Sequence, residues 1–178
     1  MVGCIPTAIL KVVFAQSCDN NYIGIMSENL PHPEHILKLD RYWPYQVTVL
    51  ADRIARRTSR IVKKHDLNLS QWRVLAAVAE VPGRTSVEVV TVTPMDKGIV
   101  SRATKALLTR GLVRREASQL DGRISHLFLT QKGVDLYRQL IPEVEGVVLN
   151  AQTGLSSEKQ EQLSDSLADL MKVIPDLR

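Results

Sequence analysis

The sequence has 178 residues, of which 44% are hydrophobic and 24% are charged. This length fits one domain of ordinary size, and the hydrophobic content suffices for a packed core, which excludes an intrinsically disordered chain. The formal net charge is only +4, but it is unevenly distributed. Residues 40–64 carry seven basic and two acidic side chains, and residues 96–123 carry seven basic and three acidic ones. By contrast, residues 131–178 carry five basic and eight acidic side chains. The two basic clusters favour a DNA partner, although the charges of residues 40–64 are also typical of a solvated helix face.

Residues 1–38 form an N-terminal extension that differs from the rest of the chain. Its apolar run is interrupted by Lys11, lacks a basic start and is too short to span a bilayer, so we predict neither an export signal nor membrane association. Because Met26 resembles an ordinary translation start, residues 1–25 are interpreted either as an artefact of the assigned start or as an additional arm. Both cysteines, Cys4 and Cys18, lie there, and a domain without thiols fits the reducing cytoplasm, where we expect the protein.

Two helices and one ambiguous segment are predicted in the first half of the domain. Apolar residues recur at helical spacing over residues 40–65, and Pro44 lies early enough in this helix to be tolerated. Ser70 is the predicted N-cap of a second helix, which ends at Pro82-Gly83. The β-branched run of residues 86–92 favours a strand on propensity alone.

The next predicted helix has the clearest start. Thr93 is the expected N-cap, Pro94 the first helical residue, and Asp96 suits the positive end of the helix. One side is predicted to pack, through Ile99, Ala103, Ala106, Leu107 and the stem of Arg110. The other side is small and basic, with Lys97, Gly98, Ser101, Thr104 and Lys105. A slim, basic helix fits the major groove of duplex DNA.

A polar hairpin follows this helix. Gly111 is the expected C′ residue, and residues 112–116 and 124–129 alternate as two antiparallel strands. At the tip, Gly122 tolerates a positive φ, and Asp121 is predicted to orient the Arg123 guanidinium through a charge-assisted hydrogen bond. An arginine held at a hairpin tip fits the minor groove, where the potential is most negative.

Two more helices complete the predicted fold. The first starts after Thr130 and is expected to be interrupted or bent near Pro142. The second starts at Ser156 and carries a long apolar stripe, formed by Leu163, Leu167, Leu170, Met171 and Ile174. This stripe either joins the core of its own chain or forms a dimer interface. We favour the interface, because two-fold dimers are the commonest way to bury such a stripe.

Several motifs occur together in a characteristic order: Leu69-Ser70-Gln71-Trp72-Arg73-Val74-Leu75, Ile99-Val100-Ser101-Arg102, Leu107, Arg110-Gly111-Leu112-Val113, Asp121-Gly122-Arg123 and Leu129-Thr130-Gln131-Lys132-Gly133. With these motifs the chain resembles the MarR-type bacterial transcription regulators from about Leu39 to the C-terminus. The resemblance implies a mainly α fold with a small β-hairpin wing (α+β), a winged helix-turn-helix with long N- and C-terminal dimerisation helices. It implies one domain, 39–178, in which residues 66–130 form the DNA-binding lobe and residues 39–65 and 131–178 form the dimerisation helices. It also places a short helix at residues 86–92.

The resemblance further implies a ligand-responsive repressor that binds double-stranded DNA, at a pseudo-palindromic operator, as a homodimer. The expected DNA-binding residues are Lys97, Gly98, Ser101, Arg102, Lys105, Arg114, Arg115 and Arg123. Arg114 or Arg115 could instead pair with Glu116 or Asp121. Members of the family are often released from DNA by small aromatic or phenolic acids, and the candidate pocket residues here are Tyr45, Trp72 and Arg73.

The sequence leaves one other class of function open and disfavours a second. A winged helix can bind protein without binding DNA specifically, since fold does not fix function. An enzyme is not expected, because the four histidines, His32, His35, His65 and His126, are scattered and no phosphate-binding loop or nucleophile-and-base spacing occurs. No metal or cofactor is expected either, because prolines flank His32 and disfavour a helical ligand set with Glu34 and His35.

Overall fold

A computed structural model describes residues 36–119, 121, 123–149 and 155–174. The described residues from Leu39 onward belong to one compact unit. The interpretations of residues 1–25 and of His32 to His35 fall outside the described residues. The elements, in chain order, are α1 (Trp43–Lys63), α2 (Leu69–Glu80), α3 (Ser86–Val92), α4 (Lys97–Thr109), β1 (Val113–Ala117), β2 (Ser125–Leu129), α5 (Gln131–Leu149) and α6 (Ser157–Val173). The predicted mainly helical fold with one hairpin is confirmed.

The start of α2 differs from the prediction. Its N-cap is Asn68 and not Ser70, which lies inside the helix. The Asn68 side-chain oxygen accepts from the Gln71 backbone amide at 2.9 Å, and the Gln71 side chain accepts from the Asn68 amide at 2.9 Å. This reciprocal capping box satisfies the backbone amides of Asn68 and Gln71 at once. A cap at Ser70 would leave both amides without these partners.

The β-branched segment 86–92 is the helix α3, as the resemblance implied. Thr85 is its N-cap: the Thr85 hydroxyl accepts from the Glu88 amide at 3.2 Å, and the Glu88 carboxylate accepts from the Thr85 amide at 2.6 Å. The hydrogen bond from the Thr85 amide lowers the pKa of Glu88, because it favours the charged carboxylate. Val89, in the middle of the helix, is fully buried. A good cap and burial of one face therefore outweigh the strand propensity of the segment.

The start of α4 also lies later than predicted. Asp96 is the N-cap, and its carboxylate accepts from the Ile99 amide at 2.7 Å. Thr93 is the C-cap of α3 instead, and its hydroxyl donates to the Val89 carbonyl at 2.7 Å. Pro94 lies before the helix. The carboxylate of Asp96 caps the positive helix end better than a neutral hydroxyl does, so the helix begins at Lys97.

One core joins the helices to the hairpin. Fully buried side chains of this core come from α1, α2, α3, α4, β2 and α5. They include Val62, Val74, Leu75, Val78, Val89, Leu107, Leu127 and Leu140. At its edge the Trp72 ring stacks on Tyr137, with centroids 5.7 Å apart and an interplanar angle of 16°. The elements that carry the candidate DNA-binding residues are thus fixed to one apolar centre.

The two strands of the hairpin pair in a regular register, and a third segment bonds to the free edge of β2. β1 pairs antiparallel with β2 from Val113 opposite Leu129 to Ala117 opposite Ser125. The segment before α3 adds to β2, because Leu127 exchanges backbone hydrogen bonds with Gly83 and Arg84 at 2.8 and 2.9 Å. Gly111, with φ +64°, makes the predicted tight exit from α4.

The last two helices differ in how they pack. α5 continues through Pro142 without the predicted interruption. α6 starts at the predicted N-cap, Ser156, but none of its residues 157–173 is buried. Within the described part of the chain, no helix combines the length and the apolar composition that crossing a bilayer requires.

Candidate nucleic-acid interface

The outer face of α4 carries the predicted contact residues. Five of them are exposed to solvent: Lys97, Gly98, Ser101, Arg102 and Lys105. The opposite face is anchored in the core by Val100, Ala103, Thr104 and Leu107. A helix fixed in this way presents its basic side without needing to rearrange.

The prediction that Thr104 lies on the outer face of α4 is wrong. Thr104 is fully buried, and its hydroxyl has no hydrogen-bond partner among the residues that the structure describes. The buried stripe follows Val100, Thr104 and Leu107, while Ile99 and Ala106 are only half-buried. The buried face of α4 is therefore rotated by about one residue from the predicted one. The spacing of apolar residues indicates the width of a buried stripe better than the position of its centre.

Gly98 keeps the start of α4 open. A Cβ at this position would lie 3.2 Å from the Asp96 carboxylate and 3.5 Å from the Arg102 guanidinium. The glycine therefore leaves room beside the Arg102 side chain at the helix end, where backbone amides and a cation can meet a phosphate.

The two arginines of β1 have different surroundings. The Arg114 guanidinium forms an ion pair with Glu116 and lies 4.6 Å from the centroid of the Phe128 ring. The predicted pairing of one of these arginines with Glu116 is thus observed for Arg114, while its contact with DNA stays a prediction. Arg115 is exposed on the other side of the strand.

The hairpin tip is held by backbone contacts. The Asp121 carboxylate accepts from the Arg123 backbone amide at 2.9 Å, and the Asp121 carbonyl accepts from the Ile124 amide at 2.9 Å. Asp121 thus fixes the backbone at Arg123, whereas we had predicted a contact with its guanidinium. A short Asp side chain reaches an amide two residues on more readily than the end of a long side chain. Arg123 is exposed, and Gly122 lies outside the described residues.

The predicted effector residues are not among those that line two cavities in the described part of the chain. Trp72 is only 7% exposed and is packed on Tyr137. Tyr45 lies exposed in the first turn of α1, and Arg73 is half-buried on α2. The larger cavity, about 730 Å³, lies between α1, α5 and α6 and is lined by residues that include Leu50, Arg53, Arg57, Arg60, Leu163 and Leu167. No sequence pattern indicates this cavity, because its existence depends on how far α6 stands from α1.

The surface formed by the described residues is rich in cations. Among the described residues, no set of three His, Cys, Asp or Glu side chains lies close enough to hold a metal ion. What the arrangement offers is a basic helix face and a basic hairpin on one rigid centre, which suits a polyanion with two grooves.

Comparison with known proteins identifies similar chains and folds. Residues 65–124 match the sequence model of the MarR family. The uncharacterized HTH-type transcriptional regulator YybA of Bacillus subtilis is 30% identical over 112 residues, which cover 63% of this chain and 75% of YybA.

Solved structures of this family share the architecture. A MarR family regulator from Silicibacter pomeroyi superposes with a TM-score of 0.73 at 22% identity, covering 79% of this chain and 97% of that one. A regulator assigned to the same family from Listeria monocytogenes, crystallised with 26mer DNA, has a TM-score of 0.69 at 26% identity, covering 72% of this chain and 86% of that one. The predicted winged helix-turn-helix fold is confirmed.

Proposed function

This chain belongs to the MarR family of transcriptional regulators, and we propose from that premise that it binds a pseudo-palindromic DNA operator as a homodimer. The observation that carries the proposal is the exposed basic face of α4 beside an exposed arginine at the hairpin tip, both fixed to one core. In this proposal residues 66–130 are the DNA-binding lobe, and residues 39–65 and 131–178 hold two lobes together.

In the proposed complex α4 enters the major groove. Its outer face is narrow, since Gly98 and Ser101 are small, so the helix axis can approach the base edges closely. We assign base contacts to Lys97 and Ser101 and phosphate contacts to Arg102 and Lys105, because the last two are placed to reach the groove walls.

The hairpin would act as a wing beside the same half-site. Arg123 is the proposed minor-groove residue, because its backbone is held by Asp121 while its side chain is exposed. Arg115 is proposed to contact the phosphate backbone. Arg114 has a smaller part in this proposal, because its charge is shared with Glu116 and its guanidinium rests on Phe128.

A second copy of the chain is the proposed partner of α6. Apolar side chains of α6 are exposed, with Leu163 at 47% and Met171 at 74%, and α1 exposes Trp43 at 47% and Leu50 at 53%. The cavity of about 730 Å³ between these helices is bounded by arginines of α1, and residues 131–178 carry an excess of acidic side chains. Insertion of a partner's α6 would cover apolar surface and bring opposite charges together.

Repression and response to a small aromatic or phenolic effector are also proposed. Tyr45, Trp72 and Arg73 remain the candidate pocket residues, to be completed by the second copy. The effector would be identified by titrating aromatic acids against a protein–DNA complex in a gel-shift assay. If none of these acids released the DNA, this part of the proposal would be contradicted. Repression is tested with a reporter gene placed behind the selected operator.

The central experiment is selection of duplexes from a random pool by the full-length protein. We expect an enriched, two-fold symmetric sequence with half-sites about one helical turn apart. Lys105→Ala should then lower the slope of log affinity against log salt by about one unit for each subunit, and so by about two for the homodimer, because each subunit loses one phosphate contact. Lys159→Ala on α6 removes the same charge away from α4 and should leave the slope unchanged. Enrichment of no sequence would favour a protein-binding winged helix instead.

A further inference from the structure

The turn between α1 and α2 has an unusual backbone. Asp66 has φ +57°, the left-handed conformation that a helix end often adopts and that glycine usually supplies. The Leu67 amide donates back to the Val62 carbonyl at 3.1 Å, which closes the end of α1. With the chain turned in this way, the carbonyl groups of His65 and Asp66 are available to a neighbouring element.

Arg110 is the residue that uses these carbonyls. It is the C-cap of α4, and its guanidinium donates from Nη1 to the Asp66 carbonyl at 2.6 Å and from Nη2 to the His65 carbonyl at 3.1 Å. Its own carbonyl accepts from Lys132 Nζ, at the start of α5, at 3.1 Å. One side chain therefore joins the end of the DNA-contacting helix to the end of the long helix α1.

The same turn is also tied to α5. Lys64 Nζ lies 3.1 Å from Glu143 Oε2, and His65 Nε2 lies 3.6 Å from Glu143 Oε1. The hydrogen bond from Lys64 lowers the pKa of Glu143, so the carboxylate is charged at neutral pH. Such exposed ion pairs contribute little on their own, but they show that residues 64–66 form the junction of three helices.

We infer that Arg110 is a positioning residue that fixes the direction of α4 relative to α1 and, in a dimer, the separation of the two α4 helices. This inference rests on the proposed function for its effect on DNA. α4 packs mainly against α2, α3 and β1, which belong to the same lobe, whereas Arg110 bonds to the turn that directly follows α1. A planar guanidinium can hold two carbonyls at a fixed angle, and a lysine ammonium is a single point charge that cannot.

The first test measures geometry without DNA. Spin labels are placed on exposed positions of α1 and α4, Thr48→Cys and Ser101→Cys, in a full-length chain with Cys4 and Cys18 replaced by serine and diluted with unlabelled protein. Arg110→Met should broaden or shift the distance distribution between the labels, and Arg110→Lys should have a smaller effect in the same direction. A distribution unchanged by Arg110→Met would overturn the inference.

A matched control separates positioning from general loss of stability. Arg84→Met removes the same charge and also breaks a guanidinium contact with a backbone carbonyl, that of Ala77 at 2.8 Å, but within a single lobe. It should leave the distance distribution narrow at temperatures where thermal denaturation shows both variants folded. Equal broadening in Arg84→Met and Arg110→Met would refute a specific role for Arg110.

The second test uses the duplex that the wild-type protein selects. Inserting or deleting one base pair between half-sites should weaken wild-type binding by about tenfold or more, and Arg110→Met should reduce this discrimination to about twofold. Undiminished discrimination in Arg110→Met would overturn the inference while leaving the proposed function intact. If the wild-type protein selects no duplex, the proposed function fails, and the label distances alone decide whether Arg110 sets the helix direction.

Discussion

The buried hydroxyl of Thr104 leads to a prediction of increased stability. Its side chain is fully buried, and its Oγ1 atom has no hydrogen-bond partner within the described part of the chain. On this reasoning the native state loses the hydration of a polar group without compensation. Leaving such a group unsatisfied costs about 1–3 kcal/mol. Thr104→Val replaces the hydroxyl by a methyl of similar shape, and threonine and valine have similar helix propensities. We expect the free energy of unfolding to rise by about 1–2 kcal/mol.

The assay is thermal and urea denaturation of the two proteins side by side. For a chain of this size, the expected gain raises the thermal midpoint by about 3–6 °C. Thr93→Val is the matched control, because Thr93 is also buried but its hydroxyl donates to the Val89 carbonyl at 2.7 Å, and its replacement should lower stability by about 1 kcal/mol. If Thr104→Val were neutral or destabilising, the hydroxyl would have a partner in solution and the reasoning would be wrong.

Three further substitutions test the packing, the wing and a helix cap. Gly133→Ala would place a Cβ against the Leu112 carbonyl oxygen, so the urea midpoint should fall with a loss of about 1–3 kcal/mol; an unchanged midpoint would contradict this close approach of α5 to the hairpin. Arg123→Ala should weaken operator binding by ~1–3 kcal/mol in a gel-shift titration without changing the thermal midpoint, and equal affinity would remove the wing from the interface. The pKa of Glu88 is below its ordinary value of 4.5 in the folded state, so its stabilising contribution is complete above that pH and disappears as the pH falls through the lowered pKa. Hydrogen exchange should show α3 losing protection on acidification in the wild type but not in Glu88→Gln, and identical acid dependence in both would argue against the cap.

The sequence predicted the kind and order of the elements better than their starts. α3 is the clearest case, because propensity favoured a strand while the spacing of Thr85 and Glu88 is itself a capping-box signature that the sequence analysis had not used. For α2 and α4 the predicted caps were wrong for the same reason: several polar residues precede each helix, and the side chain that best satisfies the backbone amides decides which one caps it.

The candidate interface was predictable where it depends on local spacing and not where it depends on tertiary contacts. Exposure of Lys97 and Lys105 follows from helical periodicity. The burial of Thr104 depends on how the helix is rotated, and the contacts of Arg110 with a turn 44 residues away depend on distant neighbours. No pattern within a single helix contains that information.

The lack of any buried residue in α6 has a consequence for how the protein responds to its own abundance. A helix of 17 residues with no buried side chain is marginal in water, so much of its order must come from whatever covers it. Under the proposed dimer, ordering of α6 and pairing of chains are one equilibrium governed by mass action. Dilution would then melt the helix and empty the operator together, and at low copy number occupancy would rise with the square of the protein concentration.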